Sequence, residues 1–275
     1  MFAGRAVLCL LLPAVLLAGP EGPAPSGVRA APEGRAAEPR APAAFTALAE
    51  VAPSILSDMR YATARNFTGA PVVGYRDPVC LLTRDAARAL RRAQARLLRT
   101  GHSLLVYDCY RPQRAVDHFV AWAADQRDQR TKAEFYPRVD KSALIAEGYV
   151  AERSGHSRGS TVDVTLVRWA APLSHLGAGA GGCAGPGSGV ALGCPVDMGT
   201  PYDFFDPLSH TLDPRIGGEQ RANRLLLRRA LEAVGFVNLP EEWWHFTLRP
   251  EAFPDRYFDF PVARSSVRGG GRGVR

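Results

Sequence analysis

The chain of 275 residues carries 34 Lys and Arg against 27 Asp and Glu, a formal net charge of +7, and 46% of it is hydrophobic. That length and apolar share support one substantial buried core or two small ones and exclude a wholly disordered chain. The surplus charge sits at the ends: residues 1–40 hold four Arg and three Glu and residues 264–275 four Arg and no acid, which leaves +2 for the body. With no helix-turn-helix, aromatic stacking platform or basic stripe, a nucleic-acid reader is excluded.

Met1 to Arg5 form a short basic start, and Ala6 to Gly19 an apolar run interrupted only by Pro13. The run is shorter than the roughly 20 apolar residues of a membrane-spanning helix. It ends in small residues, so residues 1–19 read as an export signal and the protein as exported. Residues 20–44 are Pro, Ala, Gly, Glu and Arg with almost nothing large and apolar. Such a stretch cannot offset its chain entropy by burial and reads as a disordered linker to a domain at 45–262.

Within that domain, Thr83 to Thr100 sets Ala86, Ala89, Leu90, Ala93 and Leu97 on one stripe, with Thr83 at the N-cap and Gly101 past the end, and predicts an amphipathic helix. "SLLVYDCY" at 103–110 is short, apolar and β-prone. A second helix starts near Pro112 and carries Val116, Phe119, Val120 and Trp122. "STVDVTLV" at 160–167 alternates as a strand does, with Val162, Val164 and Leu166 on one face and Thr161, Asp163 and Thr165 on the other, polar one. Trp169 to Gly199 is long and Gly-rich, a loop of functional or mobile character. A third helix spans about Arg221 to Val234, and "FVNLPEEWWHFTL" turns aromatic and β-prone in its second half. Helices and strands intermix without strict alternation, which predicts an α+β domain whose small, mostly antiparallel sheet is flanked by helices. Residues 263–275 form a basic tail, expected to be disordered, with at most a weak contact to an anionic cell wall or membrane surface.

Beyond Cys9, inside the signal, four cysteines remain and allow three disulfide connectivities. Cys183 and Cys194 flank the Gly-rich segment, where a bridge would limit its unfolded-state freedom. That pairing is preferred and leaves Cys80 with Cys109.

The chemistry centres on "SGHSRGSTVDV" at 154–164. His156 is flanked by Gly155, Ser157 and Gly159, which allow tight turns, and leads into the strand carrying Asp163. A third candidate, His245, follows two carboxylates and two tryptophans in "EEWWHF". Two imidazoles and a carboxylate suit a catalytic zinc whose fourth position is left to water, and Glu241 or Glu242 could accept that water's proton. Strand parity nominates Glu241, because 241, 243 and 245 share a face in a regular strand.

Ser154-x-His156-x-x-Gly159-x-Thr161-x-Asp163, followed by Glu242-Trp243-Trp244-His245, resembles the signature pair of the zinc D-alanyl-D-alanine dipeptidases, peptidase family M15, of hedgehog/DD-peptidase-like fold. "YATARNFTG" (61–69), "YDCYRP" (107–112) and "DMGTPYDFFD" (197–206) extend the likeness over roughly residues 45–260. Thr161 stands where the pattern has Ala. The resemblance implies one zinc per chain on His156, Asp163 and His245, and Glu242 as the acid and base, which requires a bend after Pro240. It further implies Arg111 as the oxyanion cation, Asp203 as partner of the substrate ammonium, and Ser154 and Tyr61 as pocket residues. The implied reaction is hydrolysis of D-Ala-D-Ala to two D-alanines, in wall turnover or D-alanine salvage. A D,D-carboxypeptidase acting on peptidoglycan stems, or a silent zinc or wall-binding module, are the alternatives.

Overall fold

The computed structural model describes residues 40–169 and 194–267. In chain order these comprise β1 (Phe45–Ala47), α1 (Leu48–Val51), β2 (Leu56–Ser57), β3 (Leu81–Thr83), α2 (Arg84–Leu98), β4 (His102–Asp108), α3 (Gln113–Ala124) and α4 (Lys132–Phe135). After them come β5 (Thr161–Arg168), α5 (Gly218–Glu232), β6 (Phe236–Asn238), β7 (His245–Leu248) and α6 (Arg264–Val267). The main sheet has the order β2-β4-β5-β7-β6, parallel only between β2 and β4. A separate antiparallel pair joins β1 to β3. This is the α+β arrangement that the intermixed pattern predicts, and no helix among the described residues is long and apolar enough to cross a membrane.

The α2 stripe behaves as its spacing requires: Ala86, Ala89, Leu90, Ala93 and Leu97 are all buried, and the helix lies against β4. Gln94 is buried among them because its amide is fully used, donating to Ser54 O (2.9 Å) and Ser103 Oγ (2.8 Å) and accepting from Leu104 N (2.9 Å). Thr83 holds the N-cap position, but its hydroxyl turns away from the helix to Ser160 Oγ at 3.1 Å. It thereby ties the start of α2 to the turn that carries His156.

The ordered fold passes both expected limits of the domain. Ala41 N donates to Ser266 O (2.9 Å) and Arg84 N to Ala44 O (2.7 Å), so the end of the expected linker is bound into the structure. At the other end, the first residues of the expected tail form α6, held by the buried Ser266, whose hydroxyl donates to Pro261 O (2.7 Å). Backbone hydrogen bonding anchors both segments where composition alone suggests disorder. The expected export signal, most of the Gly-rich segment and the end of the basic tail lie outside the described residues.

Cys80 and Cys109 form a disulfide with Cα atoms 5.3 Å apart and 29 residues of separation. The expected Cys183–Cys194 bridge rests on Cys183, which is outside the described residues. Replacing both Cys80 and Cys109 by Ala is expected to lower stability by about 3–4 kcal/mol by releasing the unfolded loop. Urea unfolding measures this, and a loss below about 1 kcal/mol would mean that the bridge constrains little.

Candidate metal and active site

Sheet register places two of the three candidate ligands. Asp163 of β5 stands directly opposite His245 of β7, and opposed residues share a face. Asp163 Oδ1 lies 3.2 Å from His245 Nδ1. His156 arrives from a 3-10 turn at 155–158, just before β5. Ser154 begins that turn, its Oγ accepting from His156 N at 3.2 Å. Gly159 ends it at φ +80, where an added Cβ would meet the Phe45 ring at 2.3 Å, so only glycine lets the chain turn here. His156 Nδ1 donates to Cys109 O (2.7 Å), and its Nε2 faces Asp163 Oδ1 at 3.2 Å and His245 Nδ1 at 3.3 Å. All three ligand atoms lie within 4.8 Å of one another.

A register shift adds a carboxylate that the motif reading missed. Val106 pairs with Val164, yet Asp108 pairs with Asp163, so one extra residue in β4 bulges between them. Alternation from Val106 would put Asp108 on the opposite face; the bulge brings it to Asp163's. There it accepts from Tyr75 Oη at 2.6 Å and from Arg111 Nε at 2.9 Å.

Glu242 reaches the site by a turn. The segment after β6 is not a strand: Glu242 N donates to Leu239 O (3.1 Å) and His245 N to Glu242 O (3.2 Å). The Asn238 amide bridges Glu242 O and His245 O and holds the turn. Three residues apart in a turn, Glu242 and His245 face each other, with Oε2 3.3 Å from Nδ1. Glu241, which parity nominated, is exposed and outside the cavity wall, because a period of two does not apply to a turn.

The cavity over these groups has a volume of about 210 Å³, below the roughly 300–1,000 Å³ of pockets for drug-sized ligands. Arg111, Ser154, Tyr61 and Asp203 share its wall with Asp163, Glu242 and His245. Arg111 is held by Asp108 and lies 3.5 Å from Ser154 Oγ and 3.6 Å from Asp163 Oδ2, its guanidinium over the Tyr61 and Phe119 rings at 5.1 Å. Tyr61 Oη is 2.8 Å from Asp203 Oδ2. Thus the cavity gathers the candidate residues outside the cysteines except His156 and Glu241.

A family model described as D-Ala-D-Ala dipeptidase, Peptidase M15, matches residues 42–179 and 189–263. The chain belongs to this family. A D-alanyl-D-alanine dipeptidase of Enterococcus faecalis is 41% identical over 219 residues, 80% of this chain and 98% of that protein. One of Streptomyces coelicolor is 42% identical over the same shares, and one of Escherichia coli 32% identical over 74% of this chain and 84% of its own length.

The electrostatics of this M15 site fit a cation. Asp163 Oδ1 is buried without an aligned hydrogen-bond donor although it faces two imidazole nitrogens. An orphaned carboxylate oxygen facing two imidazole nitrogens is a donor set for a divalent ion, and the three residues could hold one. Burial alone would raise the Asp163 carboxyl, but His156 and His245 outweigh it and hold it well below the usual carboxylate range. Burial works against the charge of His245 too, yet the neighbouring carboxylates of Asp163 and Glu242 push it up to about 9. The cluster thus attracts positive charge even from a proton.

Tyr202 is the second residue missed in the sequence. Its hydroxyl donates to Asp163 Oδ2 (3.0 Å), and its ring stacks on Tyr107 at 4.6 Å. With the 195–206 segment laid over it, the face of β5 bearing Thr161, Asp163 and Thr165 is polar as expected, but buried. The only available signal was membership of the 197–206 motif.

Proposed function

We propose that the protein is a zinc peptidase that hydrolyses D-Ala-D-Ala to two D-alanines, with one zinc per chain on His156, Asp163 and His245. One observation carries the reading: two imidazole nitrogens and an orphaned carboxylate oxygen converge in a small cavity beside Glu242, Arg111 and Asp203. The substrate is the one for which the related dipeptidases are named. When bound, zinc would acidify a water and polarise the scissile carbonyl.

Glu242 takes the proton of the attacking water and returns it to the departing amine. Arg111 stabilises the carbonyl oxygen as it gains charge, and a cation already fixed by Asp108 and two aromatic faces needs no reorganisation to do so. Asp203 receives the substrate ammonium. Burial and the charge of Asp163 raise its carboxyl well above the usual range, and an ammonium brought beside it would favour its charged form. Its backbone sits at φ +58, the one non-glycine positive φ among the described residues, a strain of roughly 1–3 kcal/mol that cavity-facing residues tend to bear. An acid at the amino end closes the site to longer peptides and favours a dipeptidase over a carboxypeptidase.

Purified protein incubated with D-Ala-D-Ala, L-Ala-L-Ala and a pentapeptide stem is expected to release D-alanine from the first alone, and to stop when a chelator removes the metal. Release from the pentapeptide would favour the carboxypeptidase, and tightly held zinc without turnover would favour the silent module. The activity is proposed to lie outside the membrane, in wall turnover or D-alanine salvage. The Cys80–Cys109 disulfide belongs to oxidising compartments, and the N-terminal apolar run suits export. Fractionation with N-terminal sequencing should find a shortened chain outside the membrane; an intact cytoplasmic chain would contradict export.

A further inference from the structure

A dipeptide carries an ammonium, a scissile carbonyl and a carboxylate within about 7 Å, two residues of extended chain. The proposed function gives partners to the first two and none to the third. The cavity is hostile to an anion, since Asp163, Asp203 and Glu242 all line it. A free carboxylate entering there needs a cation that is not already neutralised.

Besides His245, two basic side chains line the cavity, Arg111 and Arg153. Arg111 is committed to Asp108, with Nε and Nη2 each 2.9 Å from Oδ2. Arg153 is exposed and pairs with no carboxylate among the described residues; its guanidinium carbon rests 5.2 Å from the centre of the Tyr257 ring. Arg158 shares that ring but is tied to Glu251 through two nitrogens. Tyr257 therefore holds Arg153 at the cavity wall through its aromatic face while leaving its five N–H donors for an incoming anion.

Asp203 bonds Tyr61 (2.8 Å), the Tyr61 ring underlies Arg111 (5.1 Å), Arg111 Nη1 lies 3.5 Å from Ser154 Oγ, and Ser154 is the chain neighbour of Arg153. An acid for the ammonium, a fixed cation for the carbonyl and an uncommitted cation thus line one cavity. Resting on the dipeptidase reading, we infer that Arg153 binds the substrate's C-terminal carboxylate and makes a free carboxylate a condition of recognition.

Kinetics of the zinc-loaded protein on D-Ala-D-Ala and on its C-terminal amide test this. The native chain should prefer the free acid by about 10- to 100-fold in kcat/KM, the range of a charge-assisted bond. Arg153→Gln should lose that preference, with the loss falling on KM for the free acid rather than on kcat, and Arg153→Lys should recover part of it. Because Arg153 is exposed and leaves no buried partner behind, both variants should fold. A preference that survives Arg153→Gln overturns the inference. Equilibrium binding of the two compounds to Glu242→Gln protein, with and without Arg153→Gln, reads the same preference without turnover. A native chain that cleaves neither compound would contradict the dipeptidase reading, while the role of Arg153 would still stand or fall on that binding difference.

Discussion

Glu242→Gln is expected to lower kcat on D-Ala-D-Ala by about a thousandfold while zinc content stays at one per chain. The expectation follows from position and chemistry together. Glu242 Oε2 lies 3.3 Å from His245 Nδ1 at the wall of the cavity, half-buried, and the turn from Leu239 to His245 fixes its backbone. Gln keeps the shape and the turn but cannot accept a proton, and positioned general acids and bases contribute about 10²–10⁴ in rate. Glu241→Gln is the internal control: Glu241 is exposed and outside the cavity wall, so its loss should change kcat less than twofold. Steady-state kinetics with metal analysis of both variants decide the matter. Strong loss in Glu241→Gln with Glu242→Gln unaffected would reverse the assignment.

Arg111 carries the second largest expected effect. Removing one donor to a developing oxyanion costs about 10²–10³ in kcat, and Arg111→Ala should fall in that range. The same change strands Asp108, fully buried and paired to Arg111 at 2.9 Å. Breaking a buried pair from one side costs about 3–5 kcal/mol of stability. Arg111→Lys separates the two consequences. A lysine keeps a charge near Asp108 and much of the stability, but it cannot present the planar fork that contacts Asp108 and the cavity together, so its kcat should remain near that of the Ala variant. If Arg111→Lys retained full kcat, a point charge would suffice and the fork geometry would be irrelevant.

Features of the site written in local periodicity were legible in the sequence. The stripe of α2 and the alternation of β5 each follow from spacing alone, and Asp163 falls on the polar face that the alternation predicts. The convergence of His156 with Asp163 was legible because glycines on both sides of the histidine announce a tight turn before the strand. What depends on register or on non-repetitive backbone was not. Asp108 joins the site through a bulge that inserts one residue into β4, and alternation counted from Val106 points it the wrong way. Glu242 displaces Glu241 because a turn, rather than a strand, precedes His245. The burial of the Thr161, Asp163 and Thr165 face depends on Tyr202 and its segment folding back across 39 residues, a tertiary event that no local pattern carries. Composition likewise understated the ends: Ala41 and Ser266 are small residues, yet a backbone hydrogen bond from Ala41 N to Ser266 O joins their segments.

The central claim, one divalent ion shared by His156, Asp163 and His245, is tested most directly by zinc K-edge X-ray absorption on protein that is turning over dipeptide. The account predicts one zinc per chain, surrounded by two imidazoles and oxygen donors without sulfur, and its loss together with activity in His156→Ala. Fully active protein free of metal, or a sulfur-ligated zinc that survives His156→Ala, would contradict it.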